Sequence, residues 1–233
     1  MHIKYLTKIL SHSLNKIAQI LLLLLVTIAA ISTFFYFGDK PNIQELKKSV
    51  APAASLYPEA KSVSEKLNFI NDGSIATHLS DVSQGKWVLL YFGYTSCPDV
   101  CPIDLSKINL TYQMMENKKK LQVVFISVDP KRDIGKLDQF AGAFNPTFLG
   151  LTAHQDELMS ISSSLGVYHE VVESQKLALE DHSNHDHGDH YDIDHTSSYL
   201  LFNPELKLTA LLTSPHEPIA MAKAIDIIIE NLR

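Results

Sequence analysis

Cysteine is scarce in this chain, with two residues in 233, so the fold cannot lean on a framework of several disulfides. Arginine is absent before Arg132, which excludes the Arg-rich leader of a mitochondrial transit peptide. No acidic residue precedes Ile17, whereas Lys4, Lys8 and Lys16 do. The formal net charge is −6, and those three lysines contribute +3 to it, so the rest of the chain carries −9. A nucleic-acid binder normally shows the opposite sign, and that class is set aside. No repeat at a spacing of 20–50 residues is visible, which excludes solenoids and propellers.

What is present fits one globular domain plus an anchor. The composition is 45% hydrophobic and 20% charged, ordinary for a packed protein. The longest apolar run is Ile17 to Phe37, uncharged, with Gln19, Thr27, Ser32 and Thr33 its only clearly polar members. At about 1.5 Å per residue it reaches roughly 32 Å, close to the thickness of a bilayer core. A cleaved signal peptide is the rival reading, but its apolar region is usually shorter, about 7–15 residues. The lysine bias leaves residues 1–16 in the cytoplasm, makes 17–37 a single-pass signal anchor of a bacterial inner membrane, and sends the rest into the periplasm. Residues 38–66 mix charge, Pro and Ala without periodicity and read as a tether. The folded domain is expected over 67–233.

Within that domain strands and helices alternate. Trp87 to Tyr94 is a continuous apolar run, as in a strand buried on both faces. Leu105, Ile108, Tyr112 and Met115 recur at helical spacing after it, giving one buried face. Gln122 to Val128 reads as a second buried strand, ended by Asp129-Pro130. Weaker helices follow near Lys136–Phe144 and Asp156–Leu165. Tyr199–Phe202 and Leu206–Leu212 form a hairpin around Asn203-Pro204, and a last helix starts at Pro218. This order is that of an α/β thioredoxin-like sandwich. Its chemistry is expected where the Trp87–Tyr94 strand turns into a helix.

Both cysteines sit at that turn, in Thr95-Ser96-Cys97-Pro98-Asp99-Val100-Cys101-Pro102. Thiols four positions apart on a turn entering a helix can bring their sulfurs together, and a helix N-terminus favours the thiolate. A thiolate is both a nucleophile and a soft ligand suited to Cu(I), so the arrangement serves two chemistries. Inert buried cysteines, or a plain structural disulfide, are the bland alternatives. Asp129 and Asp133 have bland readings as well, a cap or turn former and the start of the next helix. His195, one of eleven histidines, is by itself a weak candidate ligand.

The run Tyr91-Phe92-Gly93-Tyr94-Thr95-Ser96-Cys97-Pro98-Asp99-Val100-Cys101-Pro102 closely resembles the copper motif of the Sco/SenC family. Phe125 to Asp133 resembles a second family signature, with Lys131 where an acidic residue is commoner. Phe148 to Thr152 and Tyr191 to Thr196 resemble two more. The resemblance implies a thioredoxin-like fold and a copper ion held by Cys97, Cys101 and His195, the first two serving as redox dithiol if the protein is an oxidoreductase. Asp194 could orient the His195 imidazole. Also implied are a role in assembling the dinuclear copper centre of cytochrome c oxidase subunit II, and a periplasmic copper donor upstream.

Three functions are open at this point: a copper metallochaperone, a thiol–disulfide oxidoreductase acting on the cysteines of that copper centre, and a peroxide-reducing relative. The last is weakest, because a peroxidase cysteine needs no His-bearing loop. The chain departs from the family at His182, His185, His187 and His190. With His195 they place five of the eleven histidines within fourteen residues. Such a tract either collects Cu(II) or Zn(II) as a secondary site or is a solvated loop.

Overall fold

The computed structural model describes residues 16, 18–33, 42–63, 67–172 and 192–232. The chain divides into two units, Met1–Asn42 and Ile43–Arg233. In the first, residues 18–33 are helical and their leucines stand exposed. Among the described residues no helix is long and apolar enough to cross a membrane. The expected span of 17–37 runs past the described stretch 18–33 at both ends.

The second unit is built on a six-stranded sheet. In chain order its elements are α1 (Ile43–Val50), β1 (Ser55–Ser62), β2 (Asn68–Ile70), β3 (Ala76–His78), α2 (Leu79–Ser83), β4 (Trp87–Gly93) and α3 (Val100–Met114). Then come β5 (Leu121–Ser127), α4 (Pro130–Asp133), α5 (Leu137–Phe144), β6 (Leu149–Leu151) and α6 (Gln155–Leu165). The last are β7 (His169–Val172), β8 (Asp192–His195), β9 (Tyr199–Phe202), β10 (Lys207–Leu212) and α7 (Pro218–Asn231). The sheet order is β1-β10-β9-β4-β5-β6, while β2-β3 and β7-β8 form separate two-stranded ribbons. Strand β4 pairs in parallel with β5, and β5 with β6, whereas β9 runs antiparallel to β4.

The two central strands are buried at every residue, which is why their sequences are unbroken apolar runs rather than alternating ones. Helices α1, α7, α3 and α5 pack side by side in that order. The parallel β4–α3–β5 unit thus sits mid-sheet, and the C-terminal ends of β4 and β5 open onto one edge of the domain. Gly150 in β6 lets α5 close in, since a Cβ there would lie 2.5 Å from the Leu137 backbone. Asp72 fastens the N-terminus of α5 by accepting hydrogen bonds from the Gly135, Leu137 and Asp138 amides, each at 2.9 Å. This is the capping role that Lys136 at the N-cap leaves unfilled.

The expected tether is corrected here. Residues 43–62 belong to the fold, as the helix α1 and the sheet-edge strand β1. Only Leu46 and Val50 of α1 are buried, too few to mark a helix in sequence. Strand β1 carries Pro58, tolerated because it lies on an edge strand where the register shifts between Leu56 and Lys61. Residues 64–66 lie outside the described residues.

Candidate functional site

The site begins where β4 ends. Gly93, its last residue, carries no side chain because Cys101 occupies the space: a Cβ there would lie 2.9 Å from Cys101 Sγ and 3.1 Å from the Phe125 ring. The chain then turns through Tyr94–Asp99. Asp99 caps α3 by accepting from the Val100 amide at 2.6 Å, an N-cap contact. The Cys101 amide, in the first turn of α3, points at Cys97 Sγ at 3.2 Å. The spacing of four residues therefore does bring the two thiols to one turn. Neither is in a disulfide; Cys97 is partly exposed and Cys101 fully buried.

Burial dominates the chemistry of Cys101. Desolvation pushes its pKa well above the ordinary thiol value, reinforced by Cys97 and opposed by the Tyr94 backbone and the Tyr91 hydroxyl. The lowering expected from a helix N-terminus is overridden at this residue, because losing water penalises a thiolate more than the nearby dipoles favour it. Cys97 is the thiol that solvent and partners can reach.

A second layer holds the turn from behind. Asp133 is completely buried and accepts from the Thr95 amide at 2.8 Å, Thr95 Oγ1 at 2.6 Å and Ser127 Oγ at 2.6 Å. It closes the short helix α4 rather than beginning the next one, so the bland sequence reading is corrected. Its carboxylate ties the cysteine turn to the end of β5. Asp129 is the N-cap of α4, as its place before a proline suggests, and accepts from the Arg132 amide. It also pairs with the Arg132 side chain, whose guanidinium lies over the Tyr94 ring, 5.7 Å from the centroid.

Tyr94 reaches the other way. Its hydroxyl meets the Ile193 backbone in β8, and Cys97, Cys101 and Asp192 all act on it. Desolvation is the largest cause that pushes its pKa up, to about 12, against the hydrogen bond from Ile193. The β7–β8 ribbon is thereby brought to the cysteine turn. His195 ends β8 in register with His169, and Thr196 locks the ribbon's base through its amide to the Tyr168 carbonyl at 2.9 Å. His182, His185, His187 and His190 lie outside the described residues. Among the described residues no group of three His, Cys, Asp or Glu is assembled to hold a metal ion.

Gly93 and Tyr91 were not singled out by the sequence, and Asp133 only as the start of a helix. Gly93 carried a usable signal, a lone glycine inside a buried apolar strand, which marks a close approach.

Residues 58–230 match the family described as SCO1/SenC. The chain belongs to that family. A SCO2-like protein of Rickettsia prowazekii is 34% identical over 159 residues, 66% of this chain and 72% of the relative. The mitochondrial SCO1 homolog 1 of Arabidopsis thaliana is 29% identical over 200 residues, 84% of this chain. This chain spans 56% of that relative's length. Among solved structures, Arabidopsis thaliana ScoI with copper bound gives a TM-score of 0.60 at 27% identity, over 70% of this chain and 96% of that one. Yeast Sco1 with copper bound gives 0.59 at 25% identity, over 72% and 88%. The thioredoxin-like fold is thus that of SCO1/SenC proteins. The family match takes in both cysteines, Asp129, Asp133 and the whole of β8, and it starts within β1.

Proposed function

We propose that this chain is a membrane-anchored copper metallochaperone, which holds one copper ion through Cys97, Cys101 and His195 and delivers it to the dinuclear centre of cytochrome c oxidase subunit II. In this reading residues 17–37 anchor it in a bacterial inner membrane, the domain faces the periplasm, and a periplasmic donor loads it. The observation that carries the reading is the reduced Cys97–Cys101 pair on a pre-anchored turn, beside the ribbon that bears His195. Two thiolates and an imidazole are a soft donor set matched to copper rather than to hard cations. Arabidopsis and yeast relatives of this fold are described with copper bound.

The test is anaerobic purification of the reduced full chain in detergent, followed by copper stoichiometry. One copper per chain is expected, lost when the cysteines are oxidised to a disulfide. Wild-type Cu(I) affinity in Cys97→Ser would refute the assignment.

A thiol–disulfide oxidoreductase that reduces the cysteines of the same oxidase centre is the second reading. It is favoured by the exposure of Cys97 beside a buried partner thiol, the usual division between an attacking and a resolving sulfur. The two readings separate at His195. His195→Ala should lose Cu(II) binding while keeping much of the exchange with a peptide disulfide. In the metallochaperone reading, His182, His185, His187 and His190 form a weaker secondary Cu(II) or Zn(II) site. That site survives loss of both cysteines and weakens as imidazoles protonate near pH 6.5.

A further inference from the structure

Beneath the cysteine turn lies a group of buried polar side chains that metal holding does not use directly. Asp104 stands three residues after Cys101 in α3, buried like it, and is 5% exposed. Among the described residues no cation pairs with it, and its Oδ2 has no hydrogen-bond partner. Tyr199, fully buried at the start of β9, faces that carboxylate with its hydroxyl. His216 stacks on the Tyr199 ring, centroids 3.9 Å apart and planes at 19°. Its Nε2 lies 3.2 Å from the Leu212 carbonyl. Burial holds its pKa below the ordinary imidazole value, with Lys107 acting in the same direction and Asp104 in the other. The imidazole is therefore neutral at neutral pH and does not balance the carboxylate.

Tyr91 joins this group to the sulfur. Its hydroxyl meets the Cys101 thiol, its ring stands edge-on to Tyr199 with centroids 5.4 Å apart, and both Cys101 and Asp104 act on it. A buried carboxylate without a counter-ion is unfavourable for folding, and an apolar side chain of similar size often does better in such a place. Its position one helical turn from Cys101 supplies a reason for its presence. An empty dithiol is electrically neutral, whereas two thiolates and a neutral imidazole around one Cu(I) carry a net negative charge. When ionised, the Asp104 carboxylate opposes that charge across a low-dielectric interior. A hydroxyl donating to the thiolate sulfur favours it.

We propose that Asp104 and Tyr91 tune the Cys101 sulfur with opposite sign: the carboxylate loosens the site's hold on a soft monovalent cation, so that the ion can be passed on, and the phenol tightens it. Disulfide formation differs in its charge balance. Each thiol gives up a proton, the two together give up two electrons, and one S–S bond forms. A disulfide acceptor such as glutathione disulfide takes the electrons and protons and leaves as two thiols. The cysteine pair is neutral before and after, so Asp104 acts on cation binding and hardly on this exchange.

The inference rests on the copper reading of Cys97 and Cys101. Its test compares the reduced full chain in detergent with single variants at neutral pH. Cu(I) affinity is read by competition with a chromophoric chelator, and the dithiol–disulfide equilibrium in a glutathione buffer. Asp104→Asn is expected to bind Cu(I) about tenfold more tightly, and Tyr91→Phe about tenfold more weakly. Tyr199→Phe, which strips Asp104 of the hydroxyl it faces, is expected to weaken Cu(I) binding about threefold. The disulfide equilibrium of Asp104→Asn stays within about twofold of wild type, as the neutral exchange requires. Unchanged or weaker Cu(I) binding in Asp104→Asn, or a disulfide shift as large as the copper shift, overturns the inference. A wild-type chain that binds no Cu(I) overturns the copper reading as well, whereas wild-type binding with unshifted variants overturns this inference alone.

Discussion

The two halves of the candidate site are built differently. The cysteine turn grows out of a central strand buried at every residue, is held from behind by the buried Asp133 carboxylate, and has its inner sulfur seated against Gly93. The β7–β8 ribbon, which carries His195, lies outside the six-stranded sheet and presents Tyr168 and Val171 to solvent. The Tyr94–Ile193 hydrogen bond links it to the cysteine turn, and the Thr196–Tyr168 pair closes its own base. One half is fixed by the core; the other is a short ribbon whose described residues bury one apolar side chain, Ile193, the kind of element that opens at low free-energy cost. In the copper reading proposed above, a site divided in this way would keep its sulfur half preorganised whether or not the ribbon is closed over it.

Replacing residues on the two sides should expose this asymmetry. The largest effect is expected from Asp133→Ala. It leaves the Thr95 amide, Thr95 Oγ1 and Ser127 Oγ without their acceptor and should cost about 2–4 kcal/mol of stability, read by urea denaturation. Cu(I) affinity should fall with it, since the turn loses its fixed shape. Gly93→Ala should come next. Its Cβ would crowd Cys101 Sγ at 2.9 Å and cost about 1–3 kcal/mol, with slower alkylation or metal uptake at Cys101 as the local readout. Tyr94→Phe should cost no more than about 1 kcal/mol. It cuts the tie to β8, so it should raise hydrogen exchange in 192–195 while sparing the amides of β4. Equal protection losses in the two regions would erase the distinction drawn here.

The smallest effect is a pH dependence. The folded pKa of His216 lies below its ordinary 6.5 because of burial, so the unfolded chain binds the proton more readily. Stability from this group is fully present above about 6.5 and declines as pH falls through and below that value. Denaturation midpoints at neutral pH and near pH 5 should differ less in His216→Asn than in wild type.

Those elements whose apolar pattern is continuous were legible from residues alone: β4, β5, the β9–β10 hairpin and α7. The turn that carries the cysteines followed from them. Elements at the margin were not. Helix α1 buries two side chains and β1 contains a proline at a sheet edge, so neither shows a periodicity that separates it from a linker. Asp133 looked like a helix start because its real partner, Thr95, lies 38 positions away, and no local pattern encodes such a contact. Asp72 is hidden for the same reason, 63 residues from the first amide it caps. The reactivity of Cys101 was misjudged from the helix terminus alone, since burial depends on Gly93, Tyr91 and Phe125 closing around it. His195 stood out only through its resemblance to the Sco/SenC motif. Its neighbourhood in β8 is what the fold adds.

The central claim is that Cys97, Cys101 and His195 form one copper site from these unequal halves. X-ray absorption at the copper edge, on the Cu(I)-loaded full chain and on His195→Ala, tests it most directly. The account predicts one copper with two sulfur ligands and one nitrogen ligand in wild type. In the variant both sulfurs stay and the nitrogen is lost, because the cysteine half stands without its partner. An unchanged nitrogen ligand in His195→Ala, or fewer than two sulfurs in wild type, would contradict it.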